Sequence, residues 1–171
     1  DQLCDYDALL LLGSQIDSAS VTENRRLSLI ARFGVGYDNV DVEACTHSGI
    51  IVTRTPNGVR RPVAIAALTY LLALSQKMLI KDSLVREGRW HERMDHMGTG
   101  LSDRTVGLIG LGNIGRELSG LLQPFGVRLL ASDPRSSTYH AQQAGAELVD
   151  MGTLLRMSDF VIVCCELNSR T

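Results

Sequence analysis

Three glycines in one short segment have the spacing needed to bind a diphosphate. The segment reads Gly110-Leu111-Gly112-Asn113-Ile114-Gly115. Gly110 would permit a tight turn, Gly112 would let the backbone approach a pyrophosphate because it has no Cβ, and Gly115 would let a helix pack close to a sheet. The N-terminus of that helix would present free N–H groups and a partial positive charge to the phosphates. The pattern therefore predicts a dinucleotide site.

An acidic residue lies where a dinucleotide would place its adenosine ribose. Asp133 ends the strand that follows the glycine segment and lies 23 positions after Gly110. Its carboxylate would accept hydrogen bonds from the ribose hydroxyls and repel a 2′-phosphate, which favours NAD over NADP. Arg135 acts in the opposite direction, since a guanidinium binds phosphate well. The alternatives are a glycine-rich turn that binds nothing and an aspartate that only forms a turn.

Other reactive side chains do not form a recognisable site. The four cysteines have no CxxC spacing and no histidine at zinc-ligand distance, so we expect no metal: they are Cys4, Cys45, Cys164 and Cys165. The four histidines lie at a helix end, in a loop or on a surface-like helix, and we expect none of them to be catalytic: they are His47, His91, His96 and His140.

Composition limits the partners. The chain has 171 residues, 44% of them hydrophobic, and a formal net charge of −2. That length fits one domain or parts of two, and the near-neutral charge favours neither a nucleic acid nor a membrane partner. The basic pairs at 25–26 and 60–61 are interpreted as solvated faces. With no apolar stretch of membrane length and no signal peptide, we expect a cytoplasmic location.

Strand-length apolar runs alternate with helical stretches, which predicts an α/β fold with a parallel sheet. Strands are predicted at Ala8–Leu12, Leu27–Arg32, Ile50–Thr53, Val106–Ile109, Val127–Ala131, Glu147–Val149 and Phe160–Cys164. Helices are predicted at Val40–His47, Val63–Ile80, Ile114–Leu122, Tyr139–Ala144 and Thr153–Met157. The helix at Val63–Ile80 is apolar almost all round, so it should be buried on several sides, either between domains or against a partner subunit.

Several segments of the chain resemble one enzyme family. The run from Gly34 to Asp41, GVGYDNVD, resembles the substrate-loop signature of the D-isomer-specific 2-hydroxyacid dehydrogenases. Thr105–Ile109 with the glycine segment resembles the start of their cofactor domain. Gly88-Arg89-Trp90 lies between the two, and Ser158–Leu167 resembles the strand that ends beside adenosine. The resemblance covers nearly the whole chain, and within the family the chain resembles phosphoglycerate dehydrogenases and glyoxylate/hydroxypyruvate reductases.

The resemblance implies two domains. Residues 1–54 would be part of a small flavodoxin-like substrate domain. Residues 55–171 would be part of a Rossmann-type, doubly wound parallel sheet, here incomplete, with a lead-in helix at 63–80 and a βαβ unit at 105–164. The family also implies a homodimer.

The family further implies residue roles. The backbone of Val35 and Gly36 would bind the substrate carboxylate, and N–H groups in a tight glycine turn form a reasonable anion site on their own chemistry; an ordinary turn is the alternative. Asn113 and Ile114 would donate N–H groups to the pyrophosphate. The adenosine pocket would be lined by Cys165 and Glu166.

The chain departs from the family pattern at two positions. Glu166 stands where the family usually has proline, and Ile65 stands where many members have glutamate. The family also uses an arginine, a histidine and an acidic residue for catalysis, all in segments beyond Phe160–Cys164. We therefore expect this sequence to be a fragment at both ends, and to be inactive by itself.

The sequence favours reversible hydride transfer between NAD(H) and C2 of a small 2-hydroxy or 2-oxo acid. An NAD(H)-sensing binding protein, such as a transcriptional corepressor, is the alternative. A third reading, an NAD-containing hydrolase such as adenosylhomocysteinase, is disfavoured by the run from Gly34 to Asn39. Which 2-hydroxy acid is used is left open.

Overall fold

The computed structural model describes residues 3–22, 26–168 and 171. The side chain of Cys4 and all of Arg25 lie outside these described parts. The chain forms two compact units, one of Asp1–Val59 with Glu166–Thr171 and one of Arg60–Cys165. Each unit contains its own parallel sheet.

The first unit contains a three-stranded parallel sheet in the order β1-β2-β3. Its strands are β1 (Ala8–Leu11), β2 (Leu29–Arg32) and β3 (Ile51–Arg54), with helices α1 (Ser18–Thr22) and α2 (Val42–His47) between them. The Asp41 carboxylate caps α2 by accepting a 2.9 Å hydrogen bond from the Ala44 N–H. Ile30, Val21 and Cys45 are fully buried and hold the sheet against the helices.

The second unit contains a four-stranded parallel sheet in the order β6-β5-β4-β7. Its elements are α3 (Arg60–Ser75), α4 (Met78–Arg86), a 3₁₀ helix at Trp90–His96, β4 (Thr105–Ile109), α5 (Asn113–Leu122), a 3₁₀ turn at Gln123–Phe125, β5 (Arg128–Ser132), α6 (Thr138–Gln143), β6 (Glu147–Leu148), α7 (Met151–Met157) and β7 (Phe160–Val163). The α/β class and the Rossmann-type parallel sheet expected from the sequence are confirmed.

The strand order reverses at β4, and this positions the site. From β4 the chain adds β5 and β6 on one side, then crosses over to place β7 on the other. Ligands of open α/β sheets bind outside the carboxyl ends of the strands at such a reversal. The glycine segment leaves the carboxyl end of β4, and Cys164 and Cys165 leave the carboxyl end of β7.

The central strands are buried on both faces. Val106 and Leu108 of β4 and Leu130 of β5 are fully buried, which explains why these strands read as continuous apolar runs rather than alternating ones. Leu118 and Leu122 of α5 complete this core. The helix that follows the glycine segment is therefore fixed to the sheet.

Two arginines join α3 to α5. Glu117 on α5 pairs with Arg60 at 3.2 Å and with Arg61 at 2.7 Å. The pair at 60–61 is thus largely solvated, as interpreted from the sequence, but it also contacts the mostly buried carboxylate of Glu117. It helps hold the helix whose N-terminus faces the glycine turn.

The prediction of one helix over Val63–Ile80 is wrong. The structure has α3 and α4, bent by 64° at Gln76 and Lys77, and Lys77 is in the left-handed region with φ 51°. The Ser75 carbonyl accepts a 2.6 Å hydrogen bond from Thr99, whose loop packs on the end of α3. A Cβ on Gly98 would lie 2.6 Å from Gln76 Cα, so this approach requires glycine. Apolar periodicity gives no signal of such a distant contact.

Several side chains of the same segment are exposed in the single chain, so its burial between domains or against a partner subunit stays a prediction. Only Ala64, Leu71 and Ser75 of α3 are buried, whereas Tyr70, Leu74 and Leu79 are 72%, 71% and 80% exposed. We call the surface formed by Tyr70, Leu74 and Leu79 the α3–α4 surface, and it is unusually apolar. Within the described ranges no single helix is long and apolar enough to span a membrane, although bent α3 and α4 together pass the same length and composition test.

Asp159 joins the starts of β4 and β7 and should make unfolding sensitive to acid. Its carboxylate accepts a 2.8 Å hydrogen bond from the Thr105 N–H and lies 3.2 Å from the Arg104 guanidinium. The Thr105 N–H, with Arg104, holds the pKa of Asp159 below its ordinary 3.8. A lowered folded-state pKa stabilises the fold above pH 3.8, and this stabilisation is lost as the pH falls through the lowered value.

We therefore expect Asp159→Asn to lower the free energy of unfolding at pH 7 and to have a smaller effect at an acidic pH well below 3.8. Urea unfolding at both pH values measures the difference. Asp95→Asn, which neutralises an exposed carboxylate outside the sheet, serves as the control. An Asp159→Asn effect of the same size at both pH values would contradict the assignment.

Candidate dinucleotide and substrate sites

The turn between β4 and α5 requires glycine at Gly110. This residue has φ +96°, and its N–H donates a 2.9 Å hydrogen bond to the Ser132 carbonyl at the end of β5. A Cβ here would lie 2.7 Å from the Cys165 backbone nitrogen. The turn is therefore held between the ends of β5 and β7.

The other two glycines have different surroundings. A Cβ on Gly115 would collide with the Gly110 carbonyl oxygen, so glycine is needed there for α5 to approach the turn. Gly112 has no atom within 4 Å of where its Cβ would lie, and it is the N-cap of α5 without a side chain to cap the first turn. Asn113 and Ile114 begin that helix. The open space and uncapped N-terminus suit a phosphate.

Asp133 contacts the glycine segment directly. One carboxylate oxygen accepts a 2.8 Å hydrogen bond from the Leu111 N–H, and the other accepts a 2.8 Å hydrogen bond from the Arg135 N–H. The side chain therefore orders the loop, a role that sequence reasoning did not predict. An ionised carboxylate has about four acceptor positions, so capacity for a ligand remains.

A cavity of about 180 Å³ lies beside this carboxylate. It is lined by Leu111, Gly112, Arg116, Asp133, Arg135, Ser136 and His140. The sequence analysis missed Arg116, which directly follows the glycine segment and contacts the Asn113 side chain at 2.9 Å. It treated His140 only as a surface residue of α6. The position of Arg116 directly after Gly115 could have indicated that it lines this cavity. His140 is far from the glycine segment in sequence, and only the fold brings it to the cavity.

The end of β7 contributes two cysteines. Cys164 packs against the core, and burial, with Cys165 beside it, raises the pKa of its thiol to about 11. It therefore behaves as a small core residue. The Cys165 backbone lies against Gly110. Glu166 belongs to the first compact unit, so its expected role toward adenosine stays a prediction.

The second glycine turn follows β2 in the first unit. Gly34 has φ +140°, its N–H donates a 2.9 Å hydrogen bond to the Thr55 hydroxyl, and its carbonyl accepts one of 3.0 Å from Thr55. Val35 and Gly36 are partly buried at the tip of this turn. Arg54, at the end of β3, donates to the Val35 carbonyl at 3.3 Å. Sequence reasoning missed Arg54, because only strand register places it here.

The histidines form no common site among the described residues. His47 Nδ1 lies 2.9 Å from the Glu43 carbonyl oxygen, His91 is 3.6 Å from Glu92, and His96 lies in the 3₁₀ helix. The described part of the chain contains no group of three or more histidine, cysteine or acidic side chains arranged to hold a metal.

These features fit a dinucleotide. The loop allows close backbone approach at Gly112, the α5 N-terminus favours phosphate, and Asp133 faces a small cavity next to both. The arrangement has the parts of a pyrophosphate and ribose site in the order that the fold requires.

Comparison with known proteins gives the family. A family model described as the NAD binding domain of D-isomer specific 2-hydroxyacid dehydrogenase matches residues 68–171. The D-3-phosphoglycerate dehydrogenase of Synechocystis sp. is 36% identical over 162 residues, covering 94% of this chain and 29% of that protein. The glyoxylate reductase of Thermococcus onnurineus is 32% identical over 178 residues, covering 100% and 53%.

A solved structure of similar fold supports the same family. The apo-structure of D-lactate dehydrogenase from Escherichia coli superposes with a TM-score of 0.81 at 28% identity, over 97% of this chain and 53% of that one. The chain thus spans about half or less of the length of these relatives. The expectation of NAD as cofactor is confirmed by the matched domain. The chain belongs to the D-isomer-specific 2-hydroxyacid dehydrogenases, and residues 68–171 match their NAD-binding domain.

Proposed function

We propose that the whole protein is an NAD-dependent oxidoreductase that interconverts a small 2-hydroxy acid and its 2-oxo acid. The observation that supports it best is the glycine turn, open at Gly112 and tied to Asp133 through Leu111. When bound, NAD supplies the hydride acceptor, and the protein supplies binding and orientation. We assign the cofactor side to residues 55–171 and the substrate side to residues 1–54.

The cofactor side is assigned residue by residue. The N–H groups of Asn113 and Ile114 would bind the pyrophosphate, because the helix N-terminus they begin has no side-chain cap. Asp133 would accept hydrogen bonds from the adenosine ribose. Cys165 and Glu166 would lie toward the adenine.

The substrate side is assigned to the turn after β2. The N–H groups of Val35 and Gly36 would bind the carboxylate that every 2-oxo acid carries. The two hydrogen bonds between Gly34 and Thr55 hold this turn in place before substrate arrives. A preformed turn reduces the entropy cost of binding.

The proton donor for the reaction is not assigned within this chain. None of the described histidines lies on either glycine turn, and general acid–base help is typically worth about 10²–10⁴-fold in rate. We therefore expect residues 1–171, expressed alone, to give no turnover above background. The test of the proposed function uses the full-length protein instead.

That test is NADH oxidation by the full-length protein with glyoxylate or hydroxypyruvate. Loss of NADH absorbance with stoichiometric formation of the 2-hydroxy acid supports the enzyme. Tight NADH binding without turnover of any 2-oxo acid would point to the sensor-type binding protein and would contradict the proposal.

The proposed enzyme should prefer NAD(H) to NADP(H) because of Asp133. Asp133→Asn keeps an acceptor oxygen for the Leu111 N–H but removes the charge that would repel a 2′-phosphate. A hydrogen bond to a charged group contributes about 1.5–3 kcal/mol, so we expect the kcat/KM ratio of NADPH to NADH to rise about tenfold or more.

Arg116→Met is the matched comparison, since it removes a cation from the same cavity and should lower that ratio. An unchanged ratio in Asp133→Asn, or equal use of both cofactors by the wild type, would show that Asp133 does not set the preference.

We further propose that the full-length protein is a homodimer through the α3–α4 surface. Tyr70, Leu74 and Leu79 expose more apolar area than a monomer needs. In a two-fold interface each leucine is buried twice, at about 1.5–3 kcal/mol each time. The double variant Leu74→Gln/Leu79→Gln should therefore weaken dimerisation at least about a hundredfold.

Sedimentation equilibrium measures this, with Leu155→Gln on α7 as an exposed apolar-to-polar control. A monomeric wild type at micromolar concentration would refute the dimer.

A further inference from the structure

Helix α3 begins with two arginines, at a position where helices favour acidic residues. Arg60 and Arg61 are its first two residues, and its first turn contains no acidic side chain. The N-terminus of a helix carries a partial positive charge, so two cations there oppose the helix dipole. An arrangement of this kind favours an anion close to the start of α3.

Glu117 on α5 offsets only part of this charge. Its carboxylate lies 3.2 Å from Arg60 and 2.7 Å from Arg61, and 16% of its side chain is exposed, against 48% and 64% for the two arginines. The remaining charged residue in the sequences of α3 and α5 is Arg116, so the two helices together carry a net positive charge. A guanidinium has five N–H donors, and its contact with Glu117 leaves each arginine able to bind a second anion.

The ion pairs lie at the end of α5 that is assigned to the pyrophosphate. Glu117 follows Asn113 by one helical turn, and residues at this spacing share a face with their Cβ atoms about 6 Å apart. Side chains of a helix lean toward its N-terminus, so the Glu117 carboxylate lies over the turn that begins at Asn113. Arg60 and Arg61 are therefore held at the start of α5, beside the carboxyl end of β4.

From this placement we infer that Arg60 and Arg61 help to bind the pyrophosphate of NAD(H), and that Glu117 competes with the pyrophosphate for them. The inference rests on the proposed function in one respect, because it takes the N–H groups of Asn113 and Ile114 as the pyrophosphate site. Arginine binds phosphate with charged hydrogen bonds, and two exposed guanidiniums can do so while keeping contact with Glu117.

The competition separates this role from a purely structural one. If the two arginines only pack α3 against α5, loss of the Glu117 carboxylate should leave NADH affinity unchanged or lower it. If they bind the cofactor, the same loss removes a competing anion and should raise NADH affinity, even though the fold becomes less stable.

The test measures NADH affinity of the full-length protein by calorimetric titration, with thermal unfolding as the measure of stability. We expect Glu117→Gln to bind NADH about threefold to tenfold more tightly, the size of one unit charge removed from partly hydrated surroundings. The double variant Arg60→Gln/Arg61→Gln should bind NADH about tenfold to a hundredfold more weakly, as expected for losing charged hydrogen bonds. Added NaCl should weaken NADH binding more in the wild type than in the double variant, because exposed charges are screened.

Two comparisons complete the experiment. ADP-ribose carries the same pyrophosphate and should respond to these substitutions as NADH does, whereas adenosine lacks it and should bind all variants equally. Glu147→Gln removes a carboxylate that pairs with Arg128 at the amino ends of β5 and β6, away from the site, and should leave NADH affinity unchanged.

Unchanged or weaker NADH binding in Glu117→Gln would overturn the inference, as would wild-type affinity in the double arginine variant. An equal effect on adenosine and ADP-ribose would also overturn it, because the charge would then act away from the pyrophosphate. These affinities are measured without turnover, so absence of reaction with every 2-oxo acid would refute the proposed function and leave this test intact.

Discussion

Gly115→Ala is expected to destabilise the nucleotide-binding unit, whereas Gly120→Ala in the same helix is expected to stabilise it. A Cβ on Gly115 meets the Gly110 carbonyl oxygen, which is backbone and cannot rotate away, so α5 must move from the sheet. Overpacking of this kind typically costs about 1–3 kcal/mol, and more where backbone is displaced. Gly120 has no atom within 4 Å of its Cβ position, and alanine in a helix gains about 0.5–1 kcal/mol over glycine.

Urea unfolding of both variants measures the contrast. The two substitutions add the same methyl group to the same helix, so differences in helix propensity cancel. Equal free energies of unfolding for Gly115→Ala and Gly120→Ala would contradict the close approach of α5 to the turn.

Gly112→Ala, unlike Gly115→Ala, should leave the fold intact and weaken cofactor binding. Gly112 has φ −72°, which alanine adopts freely, and open space where a Cβ would lie. That space is where the pyrophosphate is proposed to approach the backbone. Losing one or two hydrogen bonds to a charged phosphate would weaken NADH binding about tenfold to a hundredfold.

Calorimetric titration of full-length protein with NADH gives the affinity, and thermal unfolding gives the stability. Gly120→Ala is again the control and should bind NADH as the wild type does. An unchanged dissociation constant in Gly112→Ala would place the pyrophosphate elsewhere.

Sequence patterns predicted those parts of the molecule whose structure depends on residues close together in the chain. The glycine segment, the strand before it and the helix after it follow from residue type and spacing, and most element ends agree to within two residues. Helix α1 and the break between α3 and α4 were not predicted, because neither leaves a clear local pattern in the sequence. Helix α1 is a single short turn with weak periodicity, and the break between α3 and α4 depends on Thr99, more than twenty residues away.

Sequence patterns likewise predicted some residues of the candidate sites and missed others. Asp133 was found by its distance from Gly110, but its hydrogen bond to Leu111 required the fold. Arg54 went unnoticed because strand register, which no local pattern encodes, brings it to the Val35 carbonyl. Residues within a motif are thus readable from sequence, whereas residues that reach a motif from a neighbouring strand are not.

The product that the full-length protein forms from hydroxypyruvate and NADH decides whether it is a D-isomer-specific 2-hydroxyacid dehydrogenase. Family membership and the proposed function together predict D-glycerate, with one molecule formed for each NADH oxidised. Chiral chromatography of the product, with NADH absorbance followed in parallel, gives both quantities. Formation of L-glycerate, or NADH binding with no glycerate at all, would contradict the proposed function.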